Sequence, residues 1–235
     1  MTAAGSRDAA ARMNPWVGAG AILRKDLLAE WRNRELLSAM VVFAVVVVLV
    51  FNFALELSVT LARQSAVGFY WVTLVFAAML GLNRSLAREQ EGGCLDGLLL
   101  CPVSRGIIFL GKAAGNVLVI LLVALLMLPL FTVLFGVSFF HPVFLLVVVA
   151  GGVGLAGVGT LLSAVAVHSR ARDVMLPITM LPVCVPLMLA AVRACRLIVE
   201  GRPPADYLPW AAMLLALDTA LVTISYLVFD YVVEE

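Results

Sequence analysis

The sequence predicts an all-α polytopic membrane protein, six transmembrane helices preceded by an amphipathic helix lying in the membrane interface. Three observations predict the membrane bundle. Of the 235 residues, 63% are hydrophobic and 13% charged, whereas a soluble domain is about half apolar and about a quarter charged. Six apolar stretches reach the roughly 20 residues that a helix needs to cross a bilayer. Lysine and arginine are concentrated in alternate connections, the pattern that orients membrane proteins.

Residues 1–14 read as a disordered tail. Asn14-Pro15 then supplies a cap and a first-turn proline, so a helix is expected over 15–35. Trp16, Leu23, Leu27 and Trp31 fall on one face at helical spacing; Lys25, Asp26, Arg32 and Asn33 fall opposite. That division suits a helix in the membrane surface, serving as a basic anchor beside the first span, as a docking surface for a cytoplasmic subunit, or as both.

The transmembrane domain is expected over 36–233. Its spans read as 36–57, 66–82, 107–135, 143–167, 174–192 and 208–229. The β-branched block VVFAVVVVLVFNF in the first does not signal a strand. A lone helix satisfies its own backbone hydrogen bonds in lipid, and a lone strand cannot. The fifth stretch carries Pro177, Pro182 and Pro186 and reads as a full span, with a re-entrant segment as the alternative. No apolar core of a signal peptide opens the chain, so the first apolar run reads as a retained span.

Twelve of the sixteen basic residues precede the first span or lie in the second-to-third and fourth-to-fifth connections. Arg63, Arg193, Arg196 and Arg202 lie on the other side. Both termini are therefore expected in the cytoplasm. Tyr70, Trp71, Tyr207 and Trp210 are then expected at the outer membrane–water boundary, a level that aromatic side chains favour.

The longest cytoplasmic connection is 83–106, NRSLAREQEGGCLDGLLLCPVSRG. Leu95, Leu98, Leu99 and Leu100 form an apolar patch in a segment expected to face water. Arg84, Arg88, Glu89, Glu91, Asp96 and Arg105 surround it. This is the composition of a contact site for another protein; the alternative is that the leucines pack on the membrane or on the chain's own helices. Ser104 can cap the third span.

Two motif matches fail on context. Gly106, Gly111 and Lys112 fit the G-x-x-x-x-G-K spacing of a phosphate loop. No strand precedes them, and Ala113 stands where Mg²⁺ binding needs Ser or Thr. Lys112 reads instead as a lysine reaching from the end of span three toward water. Gly152, Gly154 and Gly157 fit G-x-G-x-x-G in the middle of an uncharged run, where small residues serve close helix packing. The four cysteines form no framework, and His141 and His168, the only histidines, lie near none of them in sequence. No catalytic triad, zinc set or nucleic-acid stripe is present, so neither an enzyme nor nucleic-acid binding is expected.

Polar residues inside the membrane are costly, and each calls for a role. Asp218 lies mid-span in the sixth stretch, where it lines a path, binds a partner, or hydrogen-bonds a neighbouring helix. Asn52 and Glu56 lie one turn apart near the outer end of the first.

RKDLLAEWRNRELLSAMVVFAVVVVLVFNFALE, LGLNRSLAREQEGGCLDGLLLCPVSRGIIFLGKAAGN and the proline-rich fifth span resemble the CcmB family over about residues 20–233. The resemblance implies a homodimeric, multi-pass ABC-2 permease of the bacterial inner membrane, without its own ATPase site. It implies ATP hydrolysis in a separate CcmA-like subunit, CcmC-like and CcmD-like membrane partners, and a CcmE-like haem chaperone released at the expense of ATP. It implies no cofactor bound directly, with haem handled by the complex. Loop 83–106 is then the coupling element, with Glu89, Glu91 and Asp96 meeting basic residues of the ATPase, and the helix from Trp16 to Arg34 bracing it. Cys94 and Cys101 depart from the small or aliphatic residues expected there. The alternative is an ABC-2 permease for another cargo, such as a drug, a lipid or a polysaccharide.

Overall fold

The structure, a computed structural model, describes residues 15–54, 59–91, 105–167 and 172–232. The described residues form seven helices: α1 (Pro15–Asn33), α2 (Glu35–Ala54), α3 (Val59–Glu91), α4 (Arg105–Phe135), α5 (Pro142–Val167), α6 (Arg172–Val199) and α7 (Pro204–Val232). Six of them, α2 to α7, are long and apolar enough to cross a membrane. The expected spans are thus present, and α6 runs unbroken through its three prolines. Its apolar stretch of 26 residues is long enough for a full span.

The helices alternate in direction. One end of the bundle, called here the basic end, holds the starts of α2, α4 and α6. Glu35 at the start of α2 meets Arg84 of α3 at 3.6 Å, and Phe109 of α4 packs on Phe229 of α7 with ring centroids 5.2 Å apart. At the far end, Asn52 donates to the Leu134 carbonyl at 3.2 Å. That carbonyl belongs to the last turn of α4, where no intrahelical donor remains.

Three connections are short. Between α1 and α2 stands only Arg34, with φ +49°, a left-handed conformation that costs a non-glycine residue about 1–2 kcal/mol. Glu30 offsets it by accepting the Leu37 N–H at 2.7 Å. Gly136, with φ +63°, caps α4. Gly201, with φ +70°, ends α6 in a paired turn: its N–H reaches the Ile198 carbonyl and the Arg202 N–H the Leu197 carbonyl.

Helix α5 lies at the centre, packed on α3, α4, α6 and α7. Its glycines explain how. A Cβ at Gly151 would strike Trp71, at Gly152 it would meet Leu121 at 3.1 Å, at Gly157 Val222 at 2.8 Å, and at Gly159 it would strike Leu82. The G-x-G-x-x-G stretch is therefore a packing surface, as its setting implied.

Tyr70 and Trp71 correct the aromatic expectation. Both are fully buried. The Tyr70 ring contacts Trp71, Phe131, Phe139 and Phe144, with centroids 5.4–6.2 Å away, and its hydroxyl donates to the Ala124 carbonyl at 3.1 Å. They are core residues, not boundary residues. Tyr207 and Trp210 are half-buried at the start of α7, and the Arg193 guanidinium sits 5.9 Å from the Trp210 ring centre.

Candidate coupling site at the basic end

The second span does not stop where lipid-soluble sequence stops. Helix α3 continues past Arg84, the end of its apolar stretch, to Glu91. Helix α4 begins at Arg105. Of the connection expected over 83–106, the first nine residues continue α3 and the last two open α4; 92–104, between these two helical arms, lie outside the described residues. Polar residues from Asn83 onward carry no apolar signal, yet Leu86, Ala87 and the glutamates are good helix formers, and nothing breaks the helix before Gly92-Gly93.

The candidate residues fall as follows. Arg84 is exposed and meets Glu35. Arg88, Glu89 and Glu91 lie on the helical extension of α3. Arg105 opens α4. Asp96, Leu98 and Leu99 lie outside the described residues, as do Ser104, Cys94, Cys101, Glu56, His168 and the 1–14 tail.

Helix α1 packs along the first half of α4. Two glycines of α4 let it close in. A Cβ at Gly111 would meet Ile22 Cβ at 2.9 Å and the Ala19 carbonyl at 3.1 Å. At Gly115 it would touch Asp26 and Leu23 at 3.7–3.8 Å. Gly106 likewise lies against the Tyr226 ring. The G-x-x-x-x-G-K match is thus a run of helix-packing glycines inside α4.

Between those glycines Lys112 points inward. Only 4% of its side chain is exposed, and Nζ lies 3.3 Å from Asp26 Oδ2. The other Asp26 oxygen is 3.4 Å from Lys25 Nζ. Two sequence readings are corrected here. Lys112 does not reach for water, because α1 covers it. Asp26 is not on the solvent face of α1; it faces α4. Leu23 touches the bundle, while Leu27 and Trp31 are exposed, so the expected single apolar face is split. The backbone of Trp16 belongs to α1.

One turn further along α4, buried Asn116 donates from Nδ2 to Thr160 Oγ1 of α5 at 2.9 Å, and Thr160 donates to the Ala156 carbonyl. Sequence reading missed Asn116, Thr160 and the Lys112 pair. Their only sequence signal is a polar residue at each turn of an apolar helix. Asn116→Ala is expected to cost about 1 kcal/mol, read as a melting temperature about 2–4 °C lower in detergent.

Asp218 is buried between α7, α5 and α6, against Gly154 and Leu187. Both carboxylate oxygens lack a hydrogen-bond partner among the described residues, so none of those residues supplies the helix-to-helix bond that was one alternative for it. His141 is exposed, and its Nδ1 accepts the Val143 N–H at 3.3 Å, capping α5. Cys184 and Cys195 are buried, unpaired thiols. No cluster of metal-ligating side chains occurs among the described residues.

The CcmB protein family model matches residues 18–234. The chain belongs to the CcmB family. A member of it is a membrane component of the cytochrome c maturation ABC transporter, a permease subunit without an ATPase domain. The chain is 28% identical over 201 residues to heme exporter protein B of Pseudomonas aeruginosa, covering 85% of this chain and 90% of that protein. It is 27% identical over 184 residues to heme exporter protein B of Rhodobacter capsulatus, covering 77% and 84%. The CcmB match takes in both helical arms, Asp26, Lys112 and Asp218.

Proposed function

We propose that this chain turns ATP hydrolysis in a separate CcmA-like subunit into mechanical work on haem delivery, releasing a haem-loaded CcmE-like chaperone for c-type cytochrome assembly. The observation that carries the reading is the pair of helical arms. Residues 92–104 connect α3 and α4, each a single helix that continues into the bundle. A push on that connection is transmitted along rigid rods rather than absorbed in a flexible loop. Arg88, Glu89, Glu91, Asp96 and Arg105 are the charges that meet the ATPase, and Leu98 and Leu99 add an apolar contact to it.

In this reading the basic end is cytoplasmic, as are both termini, in agreement with the excess of Lys and Arg there. Helix α1 lies in the membrane surface, its exposed Leu27, Leu28 and Trp31 turned to lipid headgroups and acyl chains. Two copies assemble with the ATPase and with CcmC-like and CcmD-like subunits. Haem and ATP are held by partners, not by this chain.

Isolation of the tagged chain from its own membranes in mild detergent tests this. It is expected to bring down an ATP-hydrolysing subunit together with a CcmC-like protein, and to hydrolyse no ATP alone. An ATPase recovered with no CcmC-like partner points to another cargo. ATP hydrolysis by the chain by itself overturns the reading.

A further inference from the structure

We propose that the Lys112–Asp26 pair sets the rotational register of α1 on α4. Apolar burial alone does not choose the register, because Leu27, Leu28 and Trp31 of α1 are sheltered either by the bundle or by lipid. Those three are 36%, 57% and 75% exposed, while the charged Asp26 faces α4 and meets a lysine whose side chain is 4% exposed. A buried ion pair adds little net stability against an apolar alternative, yet parting it is costly, so it selects one arrangement over others of similar burial. Here the alternative is a rotated α1, which separates Lys112 from Asp26. The flanking glycines sharpen the choice. At Gly111 the α1 backbone comes so close that a Cβ would lie 3.1 Å from the Ala19 carbonyl, so a bulky leucine cannot take that place without lifting the helix off. Glu30, which accepts the Leu37 N–H, restrains α1 at its joint to α2, and the Lys112 contact acts along the helix body, on α4. Lys112 lies two turns into the arm that begins at Arg105, so α1 moves with that arm. Only this last consequence rests on the coupling role proposed above; the register does not.

Disulfide trapping in the assembled complex tests the register. In the full-length chain with its four cysteines replaced by alanine, Leu23→Cys with Gly115→Cys is expected to cross-link on oxidation, and Leu28→Cys with Gly115→Cys is not. Asp26→Lys alone, or Lys112→Asp alone, lowers the first cross-link by about tenfold or more and raises the second. The swap Asp26→Lys/Lys112→Asp restores the original pattern, which a generally misfolded chain cannot do. Asp26→Asn, which keeps size and removes charge, gives an intermediate pattern at normal membrane abundance. Retention of the first cross-link in all single variants overturns the proposal, as does failure of the swap to restore it. Cytochrome yield in the same strains is a separate arm. If register returns with the swap and cytochrome never depended on it, the register assignment stands and the coupling role fails.

Discussion

Reversing two charges, Glu89→Lys together with Glu91→Lys, is expected to reduce covalently haem-loaded c-type cytochrome to the level of a strain lacking this chain, while the variant reaches the membrane in normal amount. The two halves of that outcome have different causes. Insertion depends on the apolar stretch of α3, which ends at Arg84; the helix beyond it to Glu91 contributes nothing to lipid burial, and Lys is as good a helix former as Glu. Coupling depends on complementary charge at a protein contact. Placing like charges against one another there costs several kcal/mol, and each 1.4 kcal/mol is about a factor of ten in occupancy. Loss of two attractions and gain of two repulsions therefore empties the contact. Haem-stained gels of cytochrome, an immunoblot of the chain, and the ATPase rate of the purified complex separate the two halves. Glu89→Gln with Glu91→Gln removes attraction without repulsion and falls between. A normal cytochrome yield in the double reversal counts against the coupling role of this arm.

What could be read beforehand follows from which forces act locally. The membrane spans were legible because lipid contact demands apolar side chains along a whole helix. The third and fourth spans, expected at 107–135 and 143–167, occupy Arg105–Phe135 and Pro142–Val167. The second was not legible at its ends: where α3 leaves lipid, its polar continuation keeps helix propensity but loses the apolar signal. The glycines of α5 were legible as packing residues, since their setting excluded a nucleotide loop. Tyr70 and Trp71 were misplaced because an aromatic near a span end suits the boundary and the core equally, and the deciding partners, Phe131, Phe139 and Phe144, come from elsewhere in the chain. At the proposed coupling site the charges were visible as residues. The pairing of Asp26 with Lys112 was not, because it joins helices 86 positions apart, and helical periodicity says nothing about which face of α1 meets which face of α4.

Gly154→Val is expected to do the most damage to the bundle of any single substitution at these glycines. A Cβ at Gly154 would overlap Asp218 Oδ1 and come within 2.5 Å of Leu187 Cδ1, so it intrudes on α7 and α6 at once. Neither neighbour yields easily. Leu187 is fully buried and Asp218 is 5% exposed; moving the carboxylate drags a polar group through apolar surroundings. Overpacking of a filled core costs about 1–3 kcal/mol, and the added rearrangement of a buried carboxylate puts this case at about 3 kcal/mol, a fall of about 6–12 °C in melting temperature for a chain of this size. Gly68 is the control: nothing lies within 4 Å of where its Cβ would be, so Gly68→Ala leaves the melting temperature unchanged or slightly raised through the better helix propensity of alanine. The decisive measurement is the double variant. If Asp218 is the obstruction, Asp218→Ala in the Gly154→Val background recovers part of the loss, with a coupling of about 1–3 kcal/mol between the two sites, while Leu187 keeps the recovery incomplete. Additive effects would mean that α5 and α7 do not approach through Gly154, and that Asp218 occupies a wetter site than the packing of these three helices describes.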